Sequence, residues 1–332
     1  MKVFVTGTAG FVGYHLARRL LDEGHQVTGF DGVTDYYDVR LKRARLTALA
    51  RYAQFTPVEG RLEDGQLLTR SLQAAGAEIV VHLAAQAGVR YSIEQPQSYV
   101  SANLVGSANL LEAVRAHWPA HLLFASTSSV YGGNSKLPFS ELDPADAPIS
   151  LYAATKKSGE VLAHSYSHLF DIPTTMLRFF TVYGPWGRPD MALFKFVAAI
   201  LEQRPIAVYG QGAMRRDFTY IDDLIEALMR LLPLQPVRDL PVAGDSLSPV
   251  APYRIVNLAG GHPELLMDFI GAIETALGQR ANCQYEPLQP GDPRETSADT
   301  ALLRQLVGDV PRTSIDVGVA NFVAWYRQYY GL

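Results

Sequence analysis

The sequence predicts an α/β fold: a doubly wound parallel sheet, with a smaller lobe toward the C-terminus. Three observations carry this. Largely apolar runs, "KVFVTG", "HQVTGFD", "FTPVEG", "EIVVHLA", "HLLFAS" and "TTMLRFF", recur from residue 2 to about 185. Between them lie longer stretches at helical spacing, and strands that alternate with helices pair in parallel with both faces covered. At the first strand-to-helix turn stand Gly7, Gly10 and Gly13. That turn makes the expected fold Rossmann-like, since small residues there let the backbone approach a dinucleotide.

The elements follow in order. "KVFVTG" is the first strand and "FVGYHLARRLLDEG" the amphipathic helix after the glycine turn. The second strand ends in Asp31, and "FTPVEG" and "EIVVHLA" are the third and fourth. "SANLVGSANLLEAVRAH" reads as one helix leading into the fifth strand, which begins at His121 and ends in the hydroxyl row Ser126, Thr127, Ser128 and Ser129. "SLYAATKKSGEVLAHSYSHLF" is the next helix and "TTMLRFF" the sixth strand. After about residue 188 the pattern loosens into a helix ("MALFKFVAAILEQ"), a strand ("PIAVYGQG") and the helix "YIDDLIEALMRLL". Residues 233–252, rich in Pro, Gly and Ser, read as an exposed loop. The strand "YRIVNLAG" and three helices close the chain. The expected division is 1–185 for the nucleotide-binding domain with the catalytic residues, and 186–332 for a lobe that mainly holds substrate.

Composition bounds the function. With 332 residues, 48% of them hydrophobic and 19% charged, the chain can bury a large core and a second lobe. A net charge of -4 offers no basic surface for nucleic acid and no polybasic membrane signal. The apolar stretch in "MKVFVTGTAG" is too short for a secretion signal, and no later segment is expected to span a bilayer. The single Cys283 excludes an internal disulfide and a cysteine zinc cluster, so no metal is expected. A reducing cytoplasm fits these features.

Two constellations carry chemistry. In "VTGTAGFVG" the backbone can meet a pyrophosphate at the helix N-terminus, where amide groups are unpaired. A tight turn alone would also explain the glycines, but strand, turn and helix come in the order that binding requires. Asp31, closing the second strand, can accept hydrogen bonds from the ribose hydroxyls of NAD and would repel the extra phosphate of NADP. Farther on, Tyr152 and Lys156 lie four residues apart and share a helix face. A lysine cation beside a phenol lowers its pKa toward the range of a general base.

The glycine spacing resembles the GxxGxxG of extended short-chain dehydrogenase/reductases. In that family a Ser or Thr at the end of the fifth strand, a Tyr and a Lys form the catalytic set, which carries over to Thr127, Tyr152 and Lys156. The resemblance places NAD along Gly7, Gly10, Phe11, Val12, Gly13 and Asp31, with Leu62, Leu83, Ala84, Ala85, Tyr152 and Lys156. It narrows on "TDYYDVRLKRARL", "AAQAGVRYSIEQPQSYVSAN", "LRFFTVYGPWGRPDMALFKF", "RRDFTYIDDLIEA" and "QPGDPRETSADT", which are similar to UDP-glucuronate 4-epimerases over essentially the whole chain. Sibling 4,6-dehydratases carry Asp and Glu directly after the Thr, and the decarboxylases a Glu at the second position. This chain has Ser128 and Ser129, neither with a usable pKa, so elimination lacks its catalyst. Thr181 stands where galactose-type epimerases carry an Asn.

The implied reaction is reversible inversion at C4 of UDP-glucuronate through a 4-keto sugar, with NAD reduced and regenerated. Ser128, Ser129 and Thr181 would hold the sugar carboxylate by neutral hydrogen bonds; the other reading of the two serines is a turn cap. Arg216 matches a family arginine facing the diphosphate, Arg188 falls near the substrate, and Asp292 meets the uridine ribose. Arg61 stands where relatives carry an Asp that contacts adenine, and Gly32 where many have an Asn. The resemblance also implies a homodimer, and small residues (Ala102, Gly106, Ala108, Ala113) among leucines suit close helix packing. The alternatives are a 4-epimerase of another sugar nucleotide and a non-catalytic NAD sensor of the same fold.

Overall fold

The computed structural model describes residues 1–288 and 293–332. Its strands are β1 (Lys2–Thr6), β2 (Gln26–Asp31), β3 (Phe55–Glu59), β4 (Ile79–His82), β5 (His121–Thr127), β6 (Thr174–Phe179), β7 (Thr181–Tyr183), β8 (Ile206–Tyr209), β9 (Arg215–Tyr220), β10 (Tyr253–Leu258), β11 (Pro263–Leu265) and β12 (Cys283–Glu286). Among the described residues, seven form one parallel sheet in the order β10-β6-β5-β4-β1-β2-β3. This is the doubly wound sheet expected, and its last strand comes from well beyond residue 185. β11-β9-β7 form a second small sheet and β12-β8 a pair.

The helices of the first half are α1 (Phe11–Asp22), α2 (Val39–Leu49), α3 (Gly65–Ala75), α4 (Tyr91–Glu94), α5 (Pro96–Tyr99), α6 (Gly106–His117) and α7 (Leu151–Phe170). Those of the second half are α8 (Ala192–Leu201), α9 (Ile221–Leu231), α10 (Leu266–Leu277), α11 (Ala301–Val307) and α12 (Ile315–Tyr330). Strand alternation sorts the core into two layers. Val3 and Val5 join Leu16, Leu20, Leu224 and Phe269 on one face of the sheet. Phe4 joins Leu68, Leu110, Phe124 and Ala163 on the other. Residues 233–252 form the expected loop. No helix among the described residues is long and apolar enough to cross a membrane.

One element departs from its pattern. "SANLVGSANLLEAVRAH" does not wind as the single α-helix its spacing predicts: Val100–Val105 form a π-helix before α6. The buried Asn103 explains the wider turn. Its Oδ1 accepts from the Gln86 amide at 2.8 Å, and its Nδ2 donates to the Gln86 carbonyl at 3.0 Å and to Thr155 Oγ1 at 3.0 Å. The helix is thereby tied to the loop after β4 and to the first turns of α7.

Candidate active site

Parallel strands place the expected site residues together, because Gly7, Asp31, Leu83, Thr127 and Thr181 all end or follow strands at their carboxyl edge. A cleft of about 570 Å³ at the opposite edge, lined by Lys2, Gln26, Arg70 and Ser71, lies away from all of them.

The glycine turn is sterically closed to larger residues. Gly7 has φ +81, and a Cβ there would lie 2.8 Å from the Ala84 amide nitrogen. A Cβ at Gly13 would overlap the Gly7 carbonyl. Gly10 caps α1 without a side-chain acceptor, so Phe11, Val12 and Gly13 open a helix whose first amides can meet an anion. Thr6 Oγ1 holds the other wall, accepting from the Leu83 and Ala84 amides at 3.2 and 3.1 Å, with Ala85 following. Asp31 accepts from Ala9 N–H at 2.9 Å and Val33 N–H at 2.8 Å. Burial pushes its carboxyl up, while those two amides and the charges of Lys42 and Arg45 favour the anion. Leu62 is buried against Gly106, and an added Cβ there would lie 2.6 Å from Leu62 Cβ. A dinucleotide's pyrophosphate and ribose fit this cradle.

The hydroxyl row divides by strand alternation. Ser126 points into the layer under α7 and donates to Glu160 Oε1 at 2.6 Å, a structural role. Thr127 ends β5, and its Oγ1 accepts from the Ser129 amide at 3.2 Å, capping a short 3-10 turn, Ser128–Tyr131. It also lies 3.2 Å from Ser129 Oγ. Ser128 and Ser129 are half-buried, and the Ser128 hydroxyl has no protein partner among the described residues. The row is thus a cap at Thr127 and a rim at Ser128.

Tyr152 stands in the first turn of α7, whose start is fixed by Ser150 Oγ accepting from the Ala153 amide at 3.1 Å. Burial pushes the phenol above its ordinary range. The nearby Thr127 hydroxyl and the charge of Arg188 pull it down, while the charge of Asp190 adds to the rise. Arg188 and Asp190 thus bring opposite charges to bear on this phenol, with Lys156 one turn along the same helix. Lys156 is buried, which lowers its ammonium to about 8 against the opposing pull of Glu160. That ammonium has no acceptor among the described residues, as suits a group awaiting the hydroxyls of a bound nucleotide.

Arg188 follows β7, and its guanidinium is bidentate on Asp190, with Nε to Oδ1 at 3.0 Å and Nη2 to Oδ2 at 2.5 Å. Tyr36 donates to the same Oδ2 at 3.1 Å. Thr181, Arg188 and Phe11 line one cavity. Arg216, on β9, donates to the Arg215 and Arg294 carbonyls at 2.9 and 3.1 Å. Asp292 lies outside the described residues. Arg61 is largely exposed, and its Cγ lies 3.3 Å from where a Gly32 Cβ would stand.

Sequence reasoning passed over Tyr36, Arg45, Asn103 and Asp190. Arg45 had a signal: it interrupts a four-residue apolar stripe between Leu41 and Leu49, so α2 must bury it.

A doubly wound sheet with a glycine cradle and a Thr–Tyr–Lys set at the carboxyl edge defines a dinucleotide-dependent enzyme of the extended short-chain dehydrogenase/reductase kind. The chain belongs to the NAD dependent epimerase/dehydratase family, whose model matches residues 3–239. It is 55% identical to a probable UDP-glucuronate 4-epimerase of Rhizobium meliloti, over 99% of this chain and 98% of that one. It is 44% identical to UDP-glucuronate 4-epimerase 1 of Arabidopsis thaliana, over 100% of this chain and 78% of the relative. The crystal structure of UDP-glucuronic acid 4-epimerase from Bacillus cereus, in complex with UDP-glucuronic acid and NAD, superposes with a TM-score of 0.87. That chain is 34% identical, with 99% of this chain and 100% of that one covered.

Proposed function

We propose that the protein is an NAD-dependent isomerase that interconverts UDP-glucuronate and UDP-galacturonate by inversion at C4. The observation that carries this is a complete Thr127, Tyr152 and Lys156 set beside a half-buried rim, Ser128 and Ser129, where the dehydratase and decarboxylase branches need carboxylates. The residues fit NAD through the glycine cradle, the Asp31 carboxylate and the Lys156 ammonium, which has no hydrogen-bond acceptor among the described residues. Incubating the purified protein with UDP-glucuronate alone and resolving the products tests the reading. UDP-galacturonate is the expected product, and its absence, or conversion of UDP-glucose at a higher rate, would overturn it.

Bound NAD supplies the acceptor for the C4 hydride and its return. Tyr152, as phenolate, takes the 4-hydroxyl proton through Thr127 and returns it after the keto sugar has turned about its link to UDP. Lys156 holds the ionisation state that this exchange requires, and the charge of Arg188 also favours it. The keto intermediate is a β-keto acid, which loses CO2 when its carboxylate bond aligns with the carbonyl π system. Ser128, Ser129 and Thr181 hold the carboxylate out of that alignment, while Arg216 and Asp292 meet the diphosphate and uridine ribose of the UDP-sugar. We assign residues 1–185 to cofactor and chemistry and 186–332 mainly to the nucleotide sugar, with β10 serving the central sheet.

The same reading includes a cytoplasmic homodimer, with no nucleic-acid or membrane partner, built on α6 and α7. Val161 and Leu169 on α7 and Val105 before α6 are exposed at 60%, 65% and 49%, apolar surface that a partner copy would cover. A monomeric mass in solution at micromolar concentration would remove the dimer.

A further inference from the structure

Arg45, on α2, is fully buried and forms no ion pair among the described residues. Its Nη1 donates to the Ala9 carbonyl and the Tyr37 hydroxyl, both at 2.7 Å. Its Nη2 donates to the Trp186 carbonyl at 2.5 Å and the Gly187 carbonyl at 3.2 Å. A guanidinium taken out of water against neutral acceptors is costly, and an apolar residue between Leu41 and Leu49 would fill the stripe with less desolvation. What arginine adds is a rigid fork that reaches two segments at once.

Both segments belong to the site. The Ala9 peptide lies in the glycine turn, and Arg45 grips its carbonyl while Asp31 Oδ2 grips its N–H at 2.9 Å. Gly187 immediately precedes Arg188, whose guanidinium is held by Asp190, and Tyr36 donates to that same carboxylate. We infer that Arg45 is a positioning residue that fixes the glycine turn against the Trp186–Arg188 turn, so that one buried side chain aligns the cofactor cradle with the cation facing Tyr152. This rests on the role proposed for Tyr152.

The groups around that phenol are Thr127 from β5, Tyr99 from α5 at 6.1 Å between ring centroids, Arg188 and Asp190 after β7, and Lys156 one turn along its own helix. Without Arg45, the Trp186 and Gly187 carbonyls lose their donor, the turn that carries Arg188 loosens, and the phenol loses part of the positive field that favours its ionisation. The Ala9 carbonyl also loses its donor, which loosens the cradle.

The test uses the full chain as purified, with Arg45→Met and Arg45→Lys. Tyr152 ionisation is read as the ultraviolet difference between each protein and its Tyr152→Phe counterpart, and NAD retention is measured after gel filtration. Arg45→Met should ionise Tyr152 at a pH higher by on the order of half a unit or more, and should retain less NAD. Arg45→Lys should move both in the same direction by less. The pH shift should vanish when Arg188→Met is already present, since the effect runs through Arg188. An unmoved titration in a folded variant, or an equal shift with and without Arg188, overturns the inference, as does loss of NAD alone. If Arg45→Met does not fold, Arg45→Lys decides. These readouts need no turnover, so a wild type inert toward UDP-glucuronate counts against the proposed reaction and leaves the role of Arg45 to the titration.

Discussion

Glu160 lies one helical turn beyond Lys156 on α7, yet its carboxylate is engaged by other groups. Arg178 grips it with Nε to Oε1 and Nη2 to Oε2, both at 2.9 Å, and Ser126 donates to Oε1 at 2.6 Å. Lys157 approaches Oε2 at 3.3 Å. Lys156 thus feels the negative charge of Glu160 while its own ammonium stays available to the site. The hydrogen bond from Ser126 also explains why the hydroxyl row begins one residue before the catalytic position.

Glu160→Gln should therefore destabilise the protein strongly, because it leaves the Arg178 guanidinium buried without its counter-charge. Breaking one side of a buried pair costs about 3–5 kcal/mol, which urea unfolding would read as a lower midpoint. A midpoint within error of wild type would show that the pair contributes nothing.

Tyr152→Phe should abolish turnover and leave UDP binding nearly intact, since the phenol moves a proton and other residues hold the nucleotide. A general acid–base group contributes roughly 10²–10⁴ in rate. Steady-state kinetics with UDP titration check both halves, and activity within a few fold of wild type would remove Tyr152 from the mechanism.

Ser128→Ala combined with Ser129→Ala should weaken binding of UDP-glucuronate, as each hydrogen bond to a charged group contributes about 1.5–3 kcal/mol. It should also let the β-keto acid align and release CO2. Trapped CO2 and the loss of epimerised product are the measurements. Full activity without CO2 would reduce both serines to the turn that Thr127 caps.

Glu141 gives a pH-dependent stability. Its Oε1 accepts from the Asn257 amide at 2.8 Å, and burial raises its carboxyl to about 7, with Asp299 adding to the rise. The folded state then holds this proton more tightly than the unfolded chain. The stabilisation is complete below the unfolded pKa of about 4.3 and is lost as pH rises through 7. Glu141→Gln keeps an acceptor and cannot ionise, so its advantage over wild type should grow between pH 5 and 8 by on the order of 3 kcal/mol. Parallel unfolding free energies across that range would contradict this.

Arg61 and Gly32 are neighbours, and a Cβ at position 32 would lie 3.3 Å from Arg61 Cγ, so a larger side chain there would press on the Arg61 stem. Gly32→Asn alone should weaken NAD retention by crowding Arg61, and Arg61→Asp in the same chain should restore it. Equilibrium dialysis against NAD reads both, and independent effects of the two changes would separate them.

How much of this was legible depended on distance along the chain. The sheet, the glycine turn and the Tyr152–Lys156 spacing are local patterns: strand and helix periods, a turn that admits only small side chains, and two residues on one helix face. Thr127 needed the family resemblance, because its partner on α7 lies in a separate element. The split of the hydroxyl row followed from the two-residue period of β5 only once Glu160 was known to lie beneath it.

The sequence by itself determined the Rossmann-like order, the dinucleotide cradle and the absence of acids after Thr127, since these are statements about which side chain stands at which step of a regular element. The tertiary structure alone brought the charges of Arg188 and Asp190 to the Tyr152 phenol. It alone showed that Arg45 joins Ala9 to Gly187 and that Asn103 widens its helix. Those relations lie between residues 17 to 178 positions apart, from Gln86–Asn103 to Ala9–Gly187. Charge–charge and carbonyl contacts at such separations are fixed by how the layers pack, which no local period encodes.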